Sequence, residues 1–266
     1  MAFTFDTKSK DFKDMMGMAD EMSQEFNIDK GTLLENLLKI SFHETAGSYD
    51  KSQVQVGGKP GQEGMGLFQF EFGAGQGGHT AINRLIQYYD KKGALPGYIQ
   101  NLPTARGTSS DPNYLYFSGK QGFDATTLEP SQQYMLMMSD LSQDLRNAKI
   151  SDISNKSLVD LWLDYHAIPD SSDRAARKKV FEDNMNVFNV ASQDSLSQPI
   201  LQQLINYPWM VERKKEPKKF KMETPIGTLE SDSGNHFIDV ISVVGVIAFI
   251  YIGKKLIGKL FGKSKS

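Results

Sequence analysis

Cysteine is absent from the 266 residues. That excludes a disulfide scaffold, a thiolate metal site and a cysteine nucleophile, while leaving the compartment open. Histidine is scarce: His43, His79, His166 and His236 are scattered, and His43-Glu44 lacks the second histidine of an HExxH helix. No metal site and no cofactor are expected. The run Gly73-Ala-Gly-Gln-Gly-Gly78 has no Lys-Ser/Thr after it and follows no clear strand, so it is not a phosphate cradle. There is no GxSxG nucleophile elbow. The first residues hold no basic cluster leading into an apolar run, so no signal peptide is expected.

Net charge is also small, at -2, but it averages two unlike parts. Before position 236 there are 25 basic and 31 acidic residues, a charge of -6. From His236 onward there are five lysines and one acid, Asp239. An acidic body disfavours general nucleic-acid binding, and no specific nucleic-acid partner is expected. With 39% hydrophobic and 23% charged residues, the chain has the material for a packed core.

Periodicity points to a mainly α body. Phe12, Met15, Met16, Ala19, Met22 and Phe26 recur at helical spacing, and Leu33, Leu34, Leu37, Leu38 and Ile40 mark a second helix ending near Glu44 to Gly47. Residues 48–78 carry nine glycines and an alternating stretch at 53–56 that suits a small hairpin. A third helix is expected over 80–91. Residues 93–127, rich in Gly, Pro, Ser, Asn and Tyr, read as a long loop. Pro130 opens a helix whose run Tyr134-Met-Leu-Met-Met138 looks buried on several sides. Ser157-Leu-Val-Asp160 resembles a capping box opening a helix through Leu161, Trp162 and Tyr165, and further helices fit 172–190 and 199–206.

The one long apolar run is 240–253, VISVVGVIAFIYIG. As a helix it spans about 21 Å, short of the roughly 30 Å hydrocarbon core. Flanking Phe237, Ile238, Leu256, Ile257, Leu260 and Phe261 extend it to 237–261, with Lys254, Lys255 and Lys259 placed to snorkel. A single C-terminal membrane span is the preferred reading; a buried core helix and an interfacial helix are the alternatives. The expected division is a body over 1–206, a linker over 207–236, the span, and a basic tail over 262–266. The positive-inside rule keeps the lysines cytoplasmic and puts the body across the membrane, yet no signal exports it. Either the span carries a weak signal, or the body stays cytoplasmic against the rule, or the membrane belongs to an assembled particle.

Glu44 is the informative acid. Stepping back by helical intervals gives Ser41, Ile40 and Leu37, the core-facing stripe. Partial burial and the negative end of the helix dipole both disfavour the anion, so an upward pKa is expected. A carboxyl protonated near neutrality is what general-acid cleavage of a glycosidic bond needs.

Downstream lie Gly64-Met-Gly-Leu-Phe-Gln-Phe70 and, at a later helix end, Asp164-Tyr-His-Ala-Ile-Pro169. These features, in this order after Glu44-Thr45, resemble the lysozyme-like superfamily, and its lytic transglycosylases most closely. That family shows Glu-Ser at a helix end, then Gly-Leu-Met-Gln, then Ala-Tyr-Asn-Ala-Gly-Pro. The resemblance covers about residues 28–190. It departs at His166 (usually Asn), at Ile168 (usually Gly), and in its longer spacings.

The resemblance implies a lysozyme-like α+β domain with a small Gly-rich β/loop region. It implies Glu44 as catalytic acid and Gly66, Leu67, Phe68, Gln69, Tyr165 and His166 as substrate-binding positions. The expected activity is lytic cleavage of the MurNAc–GlcNAc bond in peptidoglycan. Glu44 protonates the glycosidic oxygen, then takes the proton of the muramoyl 6-hydroxyl as it closes a 1,6-anhydro ring. A hydrolytic lysozyme would use a second carboxylate, for which Asp50, Glu63 and Glu71 are candidates. A non-catalytic wall-binding or structural protein on the same fold is the other alternative. Partners expected beyond glycan strands are a lipid membrane and other virion membrane or capsid proteins. A phage virion with an internal membrane suits the anchor best, opening the wall during genome delivery. A bacterial inner-membrane protein with a periplasmic body is the runner-up.

Overall fold

A computed structural model describes residues 3–55, 61–108, 110–167, 172–191, 200, 203–204, 220–224 and 227–231. Helix α1 (Lys10–Glu25) starts where the Ser9 hydroxyl accepts the Phe12 N–H at 3.0 Å and donates to the Asp6 carbonyl at 2.8 Å. Its Phe12, Met15, Met16, Met18, Ala19 and Met22 are buried, so the methionine stripe is core. Ser9→Ala removes both bonds and is expected to cost about 1 kcal/mol of stability, measured by urea denaturation.

Helix α2 (Lys30–Glu44) begins at Asp29, whose carboxylate accepts from the Thr32 N–H at 2.9 Å. It buries Leu33, Leu34, Leu37, Leu38, Ile40 and Ser41. Its end is sharp because Gly47, at φ +79°, donates back to the Phe42 carbonyl at 2.8 Å. The last turn thus closes immediately behind Glu44.

The Gly-rich region forms a short hairpin, β1 (Gly64–Met65) against β2 (Phe70–Glu71). The expected strand at 53–56 contributes a single bridge, Val54 to Met65. Helix α3 (Gly77–Lys91) starts three residues earlier than its apolar pattern indicates. Residues 93–127, read from composition as a long loop, carry short elements among the described residues. They fold as a one-turn helix, α4 (Gly97–Gln100), and a hairpin, β3 (Thr104–Arg106) with β4 (Leu115–Phe117), followed by a 3-10 turn at Ala125–Thr127. Three-residue strands are too short to show alternation, which is why the pattern was silent.

Helix α5 (Pro130–Asn147) is the central element, with α1 and α3 packed on it. Every residue from Pro130 to Ser142 is buried. Proline begins it, and the Gln132 side chain accepts the Glu129 N–H at 2.9 Å to complete the cap. Tyr134 is wrapped by the rings of Phe3, Phe5 and Phe68, and its hydroxyl meets Ser41 Oγ on α2 at 3.1 Å.

The helix expected from Ser157 onward changes character. Helix α6 (Leu158–Trp162) lasts five residues and continues as a π-helical turn over Leu163–Ala167. Proline at position 169 has no N–H to donate, so the sequence allows no regular α-helix to run on through it. Helix α7 (Arg174–Ala191) then packs on α2. The described part is mainly helical, as expected.

The chain divides into two compact units, Met1–Ile205 and Asn206–Ser266. Within the second unit, β5 (Phe220–Thr224) pairs with β6 (Gly227–Ser231), where the sequence suggested only a tether. The expected span at 237–261 and the tail at 262–266 lie outside the described residues. Most of the helix expected at 199–206 lies outside them too. Among the described residues no helix is long and apolar enough to cross a membrane.

Candidate active site around Glu44

Glu44 closes α2 beside α6 and α7. The residue keeps some exposed surface, yet its carboxyl is enclosed by enough protein that burial dominates its titration. Burial pushes its pKa from 4.5 up to about 7, against the opposing pull of His166 and Arg177. At neutral pH the group is poised between acid and base. Its neighbour His43 sits between the rings of Trp162 and Phe181 and meets Asn184 Nδ2 at 3.0 Å through Nδ1. Burial and then Arg177 lower its pKa, so His43 is neutral near pH 7.

The Gly66–Gln69 turn is built on Gln133, at the start of α5. Gln133 Oε1 accepts the Leu67 N–H at 2.7 Å, and its Nε2 donates to the Lys51 and Leu128 carbonyls, each at 3.0 Å. Gly66 lies at φ +78°, and a Cβ there would stand 2.4 Å from Gln133 Oε1. Glycine is required twice over, by dihedral and by space. Gln69 follows at φ +50°, and its Nε2 donates to the Gly66 carbonyl at 2.7 Å.

His166 joins this turn to α5. Its Nε2 lies 3.2 Å from the Phe68 carbonyl and its Nδ1 lies 3.5 Å from Asp140 Oδ2. Both ring nitrogens face acceptors, so both bonds form together only in the imidazolium. Burial alone would lower its pKa, but Asp140, Glu44 and the Phe68 carbonyl outweigh burial and raise it. Asp140 is held in turn by Arg84 Nη1 at 2.7 Å, and Arg84 Nη2 reaches Asp144 at 2.6 Å. The result is a charged chain from Asp144 through Arg84, Asp140 and His166 toward Glu44.

The residues expected at the site divide accordingly. His166 is bonded to the Phe68 backbone and is electrostatically coupled to Glu44, which links the three motifs. Leu67 and Phe68 are fully buried, and Gly66 is buried with them. The carbonyls of Gly66 and Phe68 and the N–H of Leu67 already have partners. His166 spends both nitrogens inward, on the Phe68 carbonyl and on Asp140. Gln69 and Tyr165 remain half-buried. Of the second-carboxylate candidates, Asp50 accepts the Ser52 N–H, Glu63 accepts the Gly61 N–H, and Glu71 is exposed on β2.

Gln133, Asp140, Arg84 and Arg177 were missed. A signal existed for two of them: Gln133 and Asp140 stand within a helix buried all round, and a buried amide or carboxylate needs a partner. Arg84 and Arg177 carry no local signature. Among the described residues no group of three or more histidines and carboxylates is arranged to hold a metal ion. Comparison with protein-family models, curated proteins and solved structures found no match.

Proposed function

We propose that the protein is a peptidoglycan-cleaving enzyme of the lytic transglycosylase type, with Glu44 as its single catalytic carboxyl. The observation that carries this reading is that His166 bonds the Gly66–Gln69 turn while it is electrostatically coupled to Glu44. The enclosed Glu44 carboxyl has an acid strength suited first to donating a proton to the glycosidic oxygen and then to accepting one. Asp140, the buried carboxylate linked to His166, is already engaged by Arg84. That favours the one-carboxyl mechanism, in which the muramoyl 6-hydroxyl closes on the anomeric carbon without water, over a two-carboxylate hydrolase. Gln69 and Tyr165 position the sugar, while Gly66, Leu67 and Phe68 supply a rigid backbone floor. His166 supports that floor.

The anchored reading places the body on a membrane through 237–261, in a virion with an internal membrane, to open the wall locally during genome delivery. The test is digestion of purified peptidoglycan by the full chain, with mass spectrometry of the products. Anhydro-ended muropeptides are expected. Reducing ends alone would assign a hydrolase, and glycan binding without cleavage would assign the wall-binding alternative.

A further inference from the structure

A groove opens on a face of the first unit that Glu44 does not line. It has a volume of about 880 Å³ and lies among α1, α3, α5 and the loop between β3 and β4. Its chemistry is distinctive in being polar without net charge. Excluding Arg84, which Asp140 and Asp144 neutralise from beneath, the acids Glu21, Glu25 and Asp111 balance the bases Lys91, Lys92 and Arg146. Two of these pairs are closed as ion pairs, Lys92 with Glu21 and Arg146 with Glu25. The groove therefore has no excess cation to hold a phosphate and no acid cluster to hold a metal.

What remains is a set of amides, each fixed by one bond and free at the other end. Asn83 Oδ1 accepts the Phe117 N–H at 2.7 Å, which leaves its Nδ2 as a donor. Gln87 Nε2 donates to the Leu115 carbonyl, which leaves its Oε1 as an acceptor. Gln143 Nε2 donates to Asn147 Oδ1 at 2.9 Å, leaving Gln143 Oε1 and Asn147 Nδ2. The amides lining the groove thus keep two donors and two acceptors that have no protein partner among the described residues. At its edge stands Tyr114, backed by the Tyr116 ring at an interplanar angle of 24°. The hairpin carrying Tyr114 is pinned to α3 by Arg106, which reaches Asp90 at 2.7 Å and the Asn113 carbonyl at 2.8 Å.

Donors and acceptors on amides each held by one bond, beside a flat ring, match an uncharged saccharide, whose hydroxyls both give and accept while its C–H face lies on an aromatic. We propose that this groove is a second saccharide-binding site, separate from the Glu44 site, that takes an uncharged N-acetylated sugar chain. Only the choice of N-acetylated sugar rests on the transglycosylase reading. A neighbouring stretch of glycan held here would keep the enzyme on its polymer between cleavage events. Arg84 lines the groove and also holds Asp140, so the two sites share one rigid support.

The probe is hexa-N-acetylchitohexaose, titrated calorimetrically into the full chain in detergent. Tyr114→Ala and the double variant Gln143→Leu/Asn147→Leu are expected to weaken one binding event at least tenfold, with unchanged circular dichroism. Glu44→Gln is expected to leave that event intact. Chitohexaose binding that is absent, or unaltered in both groove variants, overturns the proposal. So does a sugar-free wall peptide that binds the groove while chitohexaose does not. Absence of wall cleavage by the wild-type chain, with groove binding retained, would overturn the transglycosylase reading alone.

Discussion

Glu44→Gln is expected to abolish wall cleavage and, at pH 8, to make the protein more stable. The loss should be at least about 10²-fold in kcat, the usual contribution of a positioned general acid. The stability gain follows from linkage. The folded state holds the Glu44 proton up to about pH 7, whereas the unfolded chain releases it near 4.5. The native state therefore binds more protons between those values, and stability falls as pH rises through that window. With Glu44 fully ionised, the penalty is about 2–3 kcal/mol, allowing for the partial access of water to this residue. Glutamine keeps the shape without the charge, so the variant escapes the penalty above pH 7 and gains little at pH 4. Thermal denaturation of both proteins at pH 4 and pH 8 checks this. Equal stability differences at the two pH values would show that Glu44 is solvated and ordinary, and would remove the basis for its catalytic role. In the wild type, cleavage should decline above about pH 7 as the acid is lost.

The second large effect is expected at Gly66→Ala. A methyl there meets Gln133 Oε1 at 2.4 Å, and the backbone is at φ +78°. The dihedral alone costs about 1 kcal/mol. Displacing Gln133 breaks its bonds to the Leu67 N–H and to the Lys51 and Leu128 carbonyls. Buried groups left unpaired cost about 1–3 kcal/mol each. A total loss of about 3–5 kcal/mol is expected in urea denaturation, with loss of cleavage wherever the variant still folds. A cost below about 1 kcal/mol would show that the turn relaxes without Gln133. Gln69→Ala, by contrast, removes a half-buried side chain and one of the two bonds to the Gly66 carbonyl, the Gln69 N–H at 3.3 Å remaining, and should reduce cleavage at a stability cost of only about 1 kcal/mol.

Helices α1, α2, α3 and α5 were legible because each carries an apolar stripe that must be buried somewhere, and their spacing needs no knowledge of where. Glu44 was legible as well, since the stripe of α2 runs directly to it. The β3–β4 hairpin was not, because three-residue strands are set by cross-strand bonds and by Arg106 rather than by alternation. The π turn at Leu163–Ala167 was hidden for a similar reason: Pro169 signals a helix end but not how the preceding turn is wound.

By itself, the sequence determined the helical body, the acidic charge of that body, the apolar stretch at 237–261 and the acid at the end of α2. These follow from local periodicity and composition, which each segment carries with it. Only the tertiary structure decided what surrounds Glu44. His166 lies 98 residues from Phe68 and 26 from Asp140. Whether its ring faces a sugar or the protein interior depends on where α5 runs beneath it. Charge coupling and burial belong to distances in space, and no spacing along the chain encodes them.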